Sequence, residues 1–250
     1  MSVHCGRSRA GWGRAVLTVL VLAWPVAGRA GTTALADGTG GRWQIDVDAQ
    51  VLRAGDGWGG ALPHSEFDDG VTDKFQFGIA LPLAAGDAGG GATRIGLGTI
   101  DLAVRWRLLQ PDDHAGRAAL GFAASPAAEA GLPAGGGHAQ YLLPVWVSRD
   151  VDQWTPFGGG GFAVNPGAGQ RNWWIGGAGT TCAVSRQWTL GVEAFYSTPT
   201  QSGQPDSTAF NLGAIYAISD IQHILLSAGR SIAHDEASRF STFVGYLLTF

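Results

Sequence analysis

The sequence predicts an all-β chain: a transmembrane, antiparallel, up-and-down β-barrel of about twelve strands, preceded by a cleaved signal peptide. Three observations predict it. The first is the end of the chain. Phe250, Leu248, Tyr246 and Val244 form one apolar row, Phe240 rejoins it after Thr242, and the last ten residues carry no charge. An uncharged apolar edge invites pairing with another chain, whereas in a closed barrel the last strand pairs with the first and the edge disappears. The second is a period of two that separates apolar from polar residues in segment after segment. The third is that aromatic residues gather at strand ends, where amphipathic rings settle at a membrane boundary.

Before the strands comes an export signal. Residues 1–30 hold Arg7, Arg9, Arg14 and Arg29 and no acid, and Ala15 to Ala27 is an apolar run followed by Gly28-Arg29-Ala30. A cut after Ala30 is expected, and the run is shorter than the ~20 residues a spanning helix needs. Residues 31–42 are expected as an N-terminal periplasmic segment, and 43–250 as the barrel. Loss of the signal takes Lys+Arg from 16 to 12 against 20 acids, a net charge of −8. Nucleic acid needs a basic face, so it is excluded as a partner. Cys5 falls in the signal and Cys182 stands alone, which leaves no disulfide framework and no thiolate metal site. Ala130 to Ser148 and Gln153 to Gln170 are free of Asp, Glu, Lys and Arg, yet Pro and consecutive Gly break both, so neither reads as a membrane helix. The 40 Gly are far above the usual ~7% and fit strands with small inward residues and Gly-rich loops.

The strands follow in order. In Trp43–Arg53, Trp43, Ile45, Val47, Ala49 and Val51 oppose Gln44, Asp46, Asp48 and Gln50. Leu62–Val71 has the faintest pattern, because it contains Pro63, His64, Glu66, Asp68 and Asp69; without it the count would be odd and the termini would fall on opposite sides. In Asp73–Leu83, Phe75, Phe77, Ile79, Leu81 and Leu83 oppose Lys74, Gln76 and small residues. In Gly96–Leu108, Ile100, Leu102, Val104, Trp106 and Leu108 oppose Asp101, Ala103, Arg105 and Arg107. Arg117–Ser125, His138–Ser148, Gln153–Val164 and Asn172–Val184 come next. In Gln187–Ser197, Trp188, Leu190, Val192, Ala194 and Tyr196 oppose Thr189, Gly191 and Glu193, with Phe195 out of pattern. In Thr208–Ile218, Phe210, Leu212, Ala214 and Tyr216 oppose Asn211 and Gly213, with Ile215 out of pattern. Gln222–Ser231 and Arg239–Phe250 complete the set.

Short joints at Val71–Phe75, Val147–Trp154, Val184–Trp188 and Ile218–Ile221, with a longer one at Gln110–Gly116, alternate with longer connections. Those are Ala54–Gly60, Ala84–Ala92, Pro126–Gly137, Asn165–Gln170, Thr198–Asp206 and Ala233–Ala237. This is the arithmetic of periplasmic turns and outward loops. Trp43, Trp106, Trp146, Trp154, Trp188, Tyr216, Tyr246 and Phe250 all map to one rim and are expected as its aromatic girdle. Trp58, Trp173, Trp174 and Tyr196 map nearer the other rim.

A charge on the lipid face costs ~2–4 kcal/mol at the midplane for Arg or Lys, so the polar rows must face the lumen. That places Asp46, Asp48, Lys74, Asp101, Arg105, Arg107, Glu193 and Asn211 along a candidate solute path. They read either as a channel lining that selects solutes or as interior ion pairs that only hold the barrel together. An enzyme is not expected. His64-Ser65 are adjacent and point to opposite faces of a strand, and His138 and His223 have no partner signature, although a membrane-embedded lipid hydrolase would have to use one of them. Asp112-Asp113-His114 reads as a solvated turn and not a metal site, and the Gly runs lack the Gly-Lys-Ser/Thr of a phosphate loop. No cofactor is expected.

The segment Gly96-Leu97-Gly98-Thr99-Ile100-Asp101-Leu102-Ala103-Val104-Arg105-Trp106-Arg107 resembles the outer-membrane barrel family assigned to transport in the meta-pathway of phenol degradation. The Trp188–Tyr196 strand with Glu193, Asn211-Leu212-Gly213, Ile218-Ser219-Asp220, Ala228-Gly229-Arg230 and Phe250 resemble further elements of it. Thr99 stands where that family carries Asp, and Asp101 lies on the same face. The resemblance implies a bacterial outer-membrane channel or transporter-like barrel that takes up small, often aromatic, compounds. The expected partners are outer-membrane lipids, the small solute, and the barrel-assembly machinery acting on the C-terminal strand. A closed structural or adhesive barrel is the alternative.

Overall fold

The computed structural model describes residues 43–54, 57–72, 74–87, 91–98, 100–109, 117–125, 139–233 and 240–250. The expected signal peptide, the 31–42 segment, the Gln110–Gly116 joint with Asp112-Asp113-His114, the Pro126–Gly137 loop, Thr99 and His138 lie outside the described residues. No helix among the described residues is long and apolar enough to cross a membrane. The elements are all strands: β1 (Trp43–Ala54), β2 (Gly57–Asp69), β3 (Phe75–Asp87), β4 (Arg94–Leu97), β5 (Asp101–Leu109), β6 (Arg117–Ser125), β7 (Gln140–Ser148), β8 (Trp154–Val164), β9 (Trp173–Ala183), β10 (Trp188–Ser197), β11 (Ser207–Ala217), β12 (Gln222–Ala233) and β13 (Phe240–Thr249).

Apart from β4 and β5, each strand pairs antiparallel with its neighbour in sequence, and the ring closes where β1 meets β13, from Gln44↔Thr249 to Arg53↔Phe240. The amide of Phe250 donates to the carbonyl of Trp43 at 2.8 Å, so the last residue is tied beside the first strand. β4 and β5 both pair with β3 (Leu83↔Leu97, Ala80↔Asp101) and are two halves of one stave, so the barrel has the expected twelve. The stave breaks beside Pro82, which has no N–H to give to the ladder; the amide of Gly98 instead donates to the carbonyl of Pro82 at 2.8 Å.

Strand bounds agree with the sequence reading within a residue or two in most places, and three regions differ. Leu62–Val71, the faintest pattern, is a full stave that starts earlier, at Gly57. Much of Ala54–Gly60 and Ala84–Ala92, expected as loops, is strand: Arg53↔Trp58 and Trp58↔Asp87 carry the β1–β2–β3 ladder past the expected rim. Gly59, Gly60, Ala84, Ala85 and Gly86 have too little side chain to write a period of two, yet their backbones pair. Lys74 is the third. It sits exposed in the turn before β3, where the amides of Lys74 and Phe75 donate to the Thr72 hydroxyl, so it lines no lumen.

Burial alternates along the staves as a barrel requires. Tyr141, Leu143, Val145 and Val147 are exposed on β7 while Pro144, Trp146 and Ser148 are buried; Val244 and Tyr246 are exposed on β13 while Phe243 and Leu247 are buried. Trp43, Trp106, Trp154, Trp188, Tyr246 and Phe250 are exposed at the terminal rim, and Tyr216 packs on Trp188 with ring centroids 4.9 Å apart. Trp146, expected with them, is only 4% exposed: it lies at that rim's level on the inward row. At the opposite rim Trp174 packs on Phe162 (4.7 Å), with Tyr141 and Tyr196 also outward. Trp188 to Tyr196 and Trp154 to Phe162 each span eight residues, ~26 Å along a strand and ~20 Å upright at the usual tilt. That is a little short of the ~25 Å apolar band of a membrane barrel. Among the described residues the outward rows carry no Asp, Glu, Lys or Arg from the terminal girdle up to Arg53 and Arg230, which are exposed on either side of Phe240.

Leu102 stands in register with Ile79 on the outward row, and Ala103 with Gly78 on the inward row. Leu102→Arg should therefore prevent assembly, at a cost of ~2–4 kcal/mol in lipid, while Ala103→Arg should assemble, since its guanidinium enters an acidic interior. The yield of folded, heat-modifiable protein checks both, and equal tolerance would contradict the facing.

Candidate functional site

The interior is the site, and its wall is divided by chemistry. One side is polar and is built by β1, β2, β3 and β5. The registers Gln44↔Asp68, Asp46↔Glu66 and Asp48↔His64 place six polar side chains in three adjacent rows. His64 Nδ1 and Asp48 Oδ2 are 2.7 Å apart, both buried. Arg105 reaches across β3 from β5 to β2, donating through Nη2 to Glu66 Oε1 at 2.8 Å and through Nη1 to Asp68 Oδ2 at 2.9 Å. Two inter-strand spacings make roughly 9.6 Å, a gap for a long planar fork and not for a short side chain. Gly78 lies on the intervening strand, in register with Asp68; a Cβ there would come within 2.2 Å of Asp68 Oδ1. The missing side chain is what lets the carboxylate lie sideways under the guanidinium.

The other side runs over β7 to β13 and holds the apolar clusters, with buried Ser148, Thr155, Thr181, Ser197 and Ser207 towards its two ends. Trp146, Phe157, Ala163, Trp173, Ile175, Phe195 and Ala209 form one buried cluster, with Leu142 against it; Leu225, Phe243 and Leu247 form a second. Glycines again house the larger neighbours. A Cβ at Gly159 would sit 2.7 Å from the Trp146 ring, and one at Gly179 would sit 2.5 Å from Phe157 Cζ. Gly159 and Gly179 lie in register with Trp146 and Phe157 on the next strand, so each ring folds over its neighbour's bare backbone. Among the described residues one acid interrupts the apolar clusters. Glu193 is buried on β10, and Asn211 in register on β11 donates through Nδ2 to its Oε1 at 2.8 Å. Trp146 Nε1 is buried with no hydrogen-bond partner, an unusual state for an indole inside a fold.

The sequence-derived lining residues are therefore split between the walls. Asp46, Asp48, Asp101 and Arg105 come together on the polar side, with Arg107 on the same row near the terminal rim. Glu193 and Asn211 form their own pair opposite, and Lys74 joins neither. Phe195 and Ile215, out of pattern on their strands, are on the inward row. Sequence reasoning missed His64, Glu66 and Asp68 as lining residues, although their period of two was the available signal. It also missed the inward aromatics, which the pattern cannot separate from lipid-facing ones. Ser65 stands in register with exposed Val47, on the face opposite His64. Among the described residues no three His, Cys, Asp or Glu side chains are placed to share a metal ion.

No known protein family matches the chain, and no curated protein sequence does. Solved structures do. An outer membrane channel from Pseudomonas putida F1 superposes with a TM-score of 0.70 at 12% identity, over 84% of this chain and 96% of that one. The NanC porin gives 0.60 at 9% identity, over 82% and 98%. The KdgM porin gives 0.57 at 10% identity, over 80% and 98%. At such identities the likeness is one of fold, a closed barrel of the kind found in outer-membrane channels and porins.

Two substitutions test the polar wall. Arg105→Met removes the cation that pairs with both Glu66 and Asp68 and should destabilise by ~3–5 kcal/mol, as loss of one member of a buried ion pair does. It is read as a lower temperature for loss of the compact gel band. Gly78→Ala should cost about 1–2 kcal/mol by displacing the Asp68 carboxylate, and that cost should shrink in an Asp68→Ala background. Additive effects would rule out the sideways fit.

Proposed function

We propose that this chain is a bacterial outer-membrane channel-like barrel that binds and passes small solutes with an apolar or aromatic body and a polar end. The observation that carries the reading is the two-sided interior. Aromatic and aliphatic side chains line one wall, and hydrogen-bonding carboxylates, amides and a guanidinium line the other. A solute with one greasy and one polar edge can satisfy both at once, because apolar contact and paired polar groups contribute together. Trp146 Nε1 and the Glu193–Asn211 pair place a donor and an acceptor within the apolar wall, where such a solute's polar group would be recognised. The family resemblance at Gly96–Arg107 points to the same class, small aromatic compounds, and the structural likeness to channels and porins supports passage over catalysis.

The exposed apolar band between two aromatic girdles supports residence in the outer membrane, with the short turns in the periplasm. The last strand, with Val244, Tyr246 and Phe250 outward, is the segment the barrel-assembly machinery would engage. A second reading is favoured by one observation: interior side chains on both walls are nearly inaccessible, with Asp68 1% exposed and Trp173 and Leu247 at 0%. A barrel so filled would be structural and not conducting.

Conductance separates the two. The purified full chain, shown to be folded by a heat-modifiable gel shift and located by outer-membrane fractionation, should give discrete conductance steps in planar bilayers. Trp146→Ala and Phe195→Ala, which remove bulk from the apolar wall, should raise the step size. A folded barrel that stays silent, with both variants silent too, would favour the closed reading.

A further inference from the structure

We propose that the polar wall binds small cations, alkali metal ions and protonated amines alike, and makes the passage cation-selective. This rests on the channel reading and adds the sign of charge that it admits. Among the described residues the wall carries five inward carboxylates, at Asp46, Asp48, Glu66, Asp68 and Asp101, against the guanidinium of Arg105, that of Arg107 nearer the terminal rim, and the imidazole of His64. The charge pairs that form do not use up the acceptors. Arg105 takes one oxygen each from Glu66 and Asp68, and His64 takes one from Asp48.

The second observation is independent of the charge count. Gln44 and Gln76 are 4% and 2% exposed, and Gln44 Oε1 and both amide atoms of Gln76 have no hydrogen-bond partner. Gln44 stands in register with Asp68, and Gln76 with Arg105, so both amides project into the acidic rows. Asp46 Oδ1, Asp48 Oδ1 and Asp68 Oδ1 are also buried without partners. Buried polar atoms are nearly always paired, and a set this rich in acceptors is completed by a guest that is positive or donates hydrogen bonds. An anion would meet carboxylates on each of the three rows of this wall, and fewer donors: Arg105, His64, the Gln amides and, nearer the rim, Arg107. Oxygen-lined passages with excess negative charge favour cations for the same reason.

The test is the reversal potential of the full chain in planar bilayers across a KCl gradient. The expected result is a K+ over Cl− permeability ratio of severalfold. Asp46→Asn keeps the shape and breaks none of the three ion pairs above, and it should bring the ratio measurably nearer to one. Asp220→Asn, in an exposed turn outside the lumen, should leave it unchanged. A conducting channel that is unselective or prefers chloride overturns the inference and leaves the channel reading intact, as does a ratio that ignores Asp46→Asn. A folded barrel with no current overturns the channel reading itself, and selectivity falls with it.

Discussion

Closure of the backbone ladder is the constraint on which the other features depend. In hydrocarbon each unpaired N–H or C=O costs several kcal/mol, so a sheet that crosses a membrane must have no edge. The β1–β13 ladder removes that edge over ten register pairs, and the bond from the Phe250 amide to Trp43 finishes it at the rim. Once the ring is closed, every stave has one face to lipid and one to the lumen, and the period of two follows. The positions of two prolines follow as well. Pro63 and Pro82 sit where the ladder is already irregular, at the shift between Ala61 and His64 and at the break between β4 and β5. A stave break is tolerated there because the amide of Gly98 recovers the free carbonyl of Pro82.

A twelve-stave ring has a small bore, and its interior must hold about half the side chains of the barrel. The glycines solve this. Asp68 over Gly78, Trp146 over Gly159, Phe157 over Gly179 and Asn211 over Gly229 are the same device, in which a large or polar side chain turns sideways onto the next strand. All four lean towards the strand that follows in sequence. Bulk is thus laid along the wall instead of across the bore. The high glycine count then has a specific meaning: it marks seats for neighbouring side chains, and in β8 and β9 those seats are close enough together to form an aromatic lining.

Much of this was legible in the sequence. The terminal row at Val244, Tyr246, Leu248 and Phe250 and the twelve staves follow from alternation and loop arithmetic alone. The remainder was not, for physical reasons. Period two says which residues share a face, but it is silent where side chains are absent, so the Gly- and Ala-rich ends of β2 and β3 read as loops. It also cannot tell an aromatic that faces lipid from one that faces a glycine across the lumen, since Trp146 and Trp106 carry the same signal. Lys74 had the right parity for an inward residue, but the Thr72 turn holds it outside the strand. The polar row of β2 looked like a weak strand because its charges were counted against it, when inward His64, Glu66 and Asp68 are what a strand beside β1 requires.

The polar wall raises a question of economy that bears on function. Buried ion pairs are weak sources of stability, and apolar residues of similar volume would often hold a structure as well or better. Here the neighbouring wall does so, with Trp146, Phe157 and Phe195 seated on glycine, so the fold has an apolar solution available to it. On the polar side five carboxylates stand against Arg105 and, nearer the rim, Arg107, and several acceptors are left without donors. A wall selected for rigidity alone would be expected to match its charges or dispense with them. On the channel reading proposed above, excess acceptors facing a lumen, opposite an aromatic wall, are surfaces that a transient occupant's own donors and apolar face would complete.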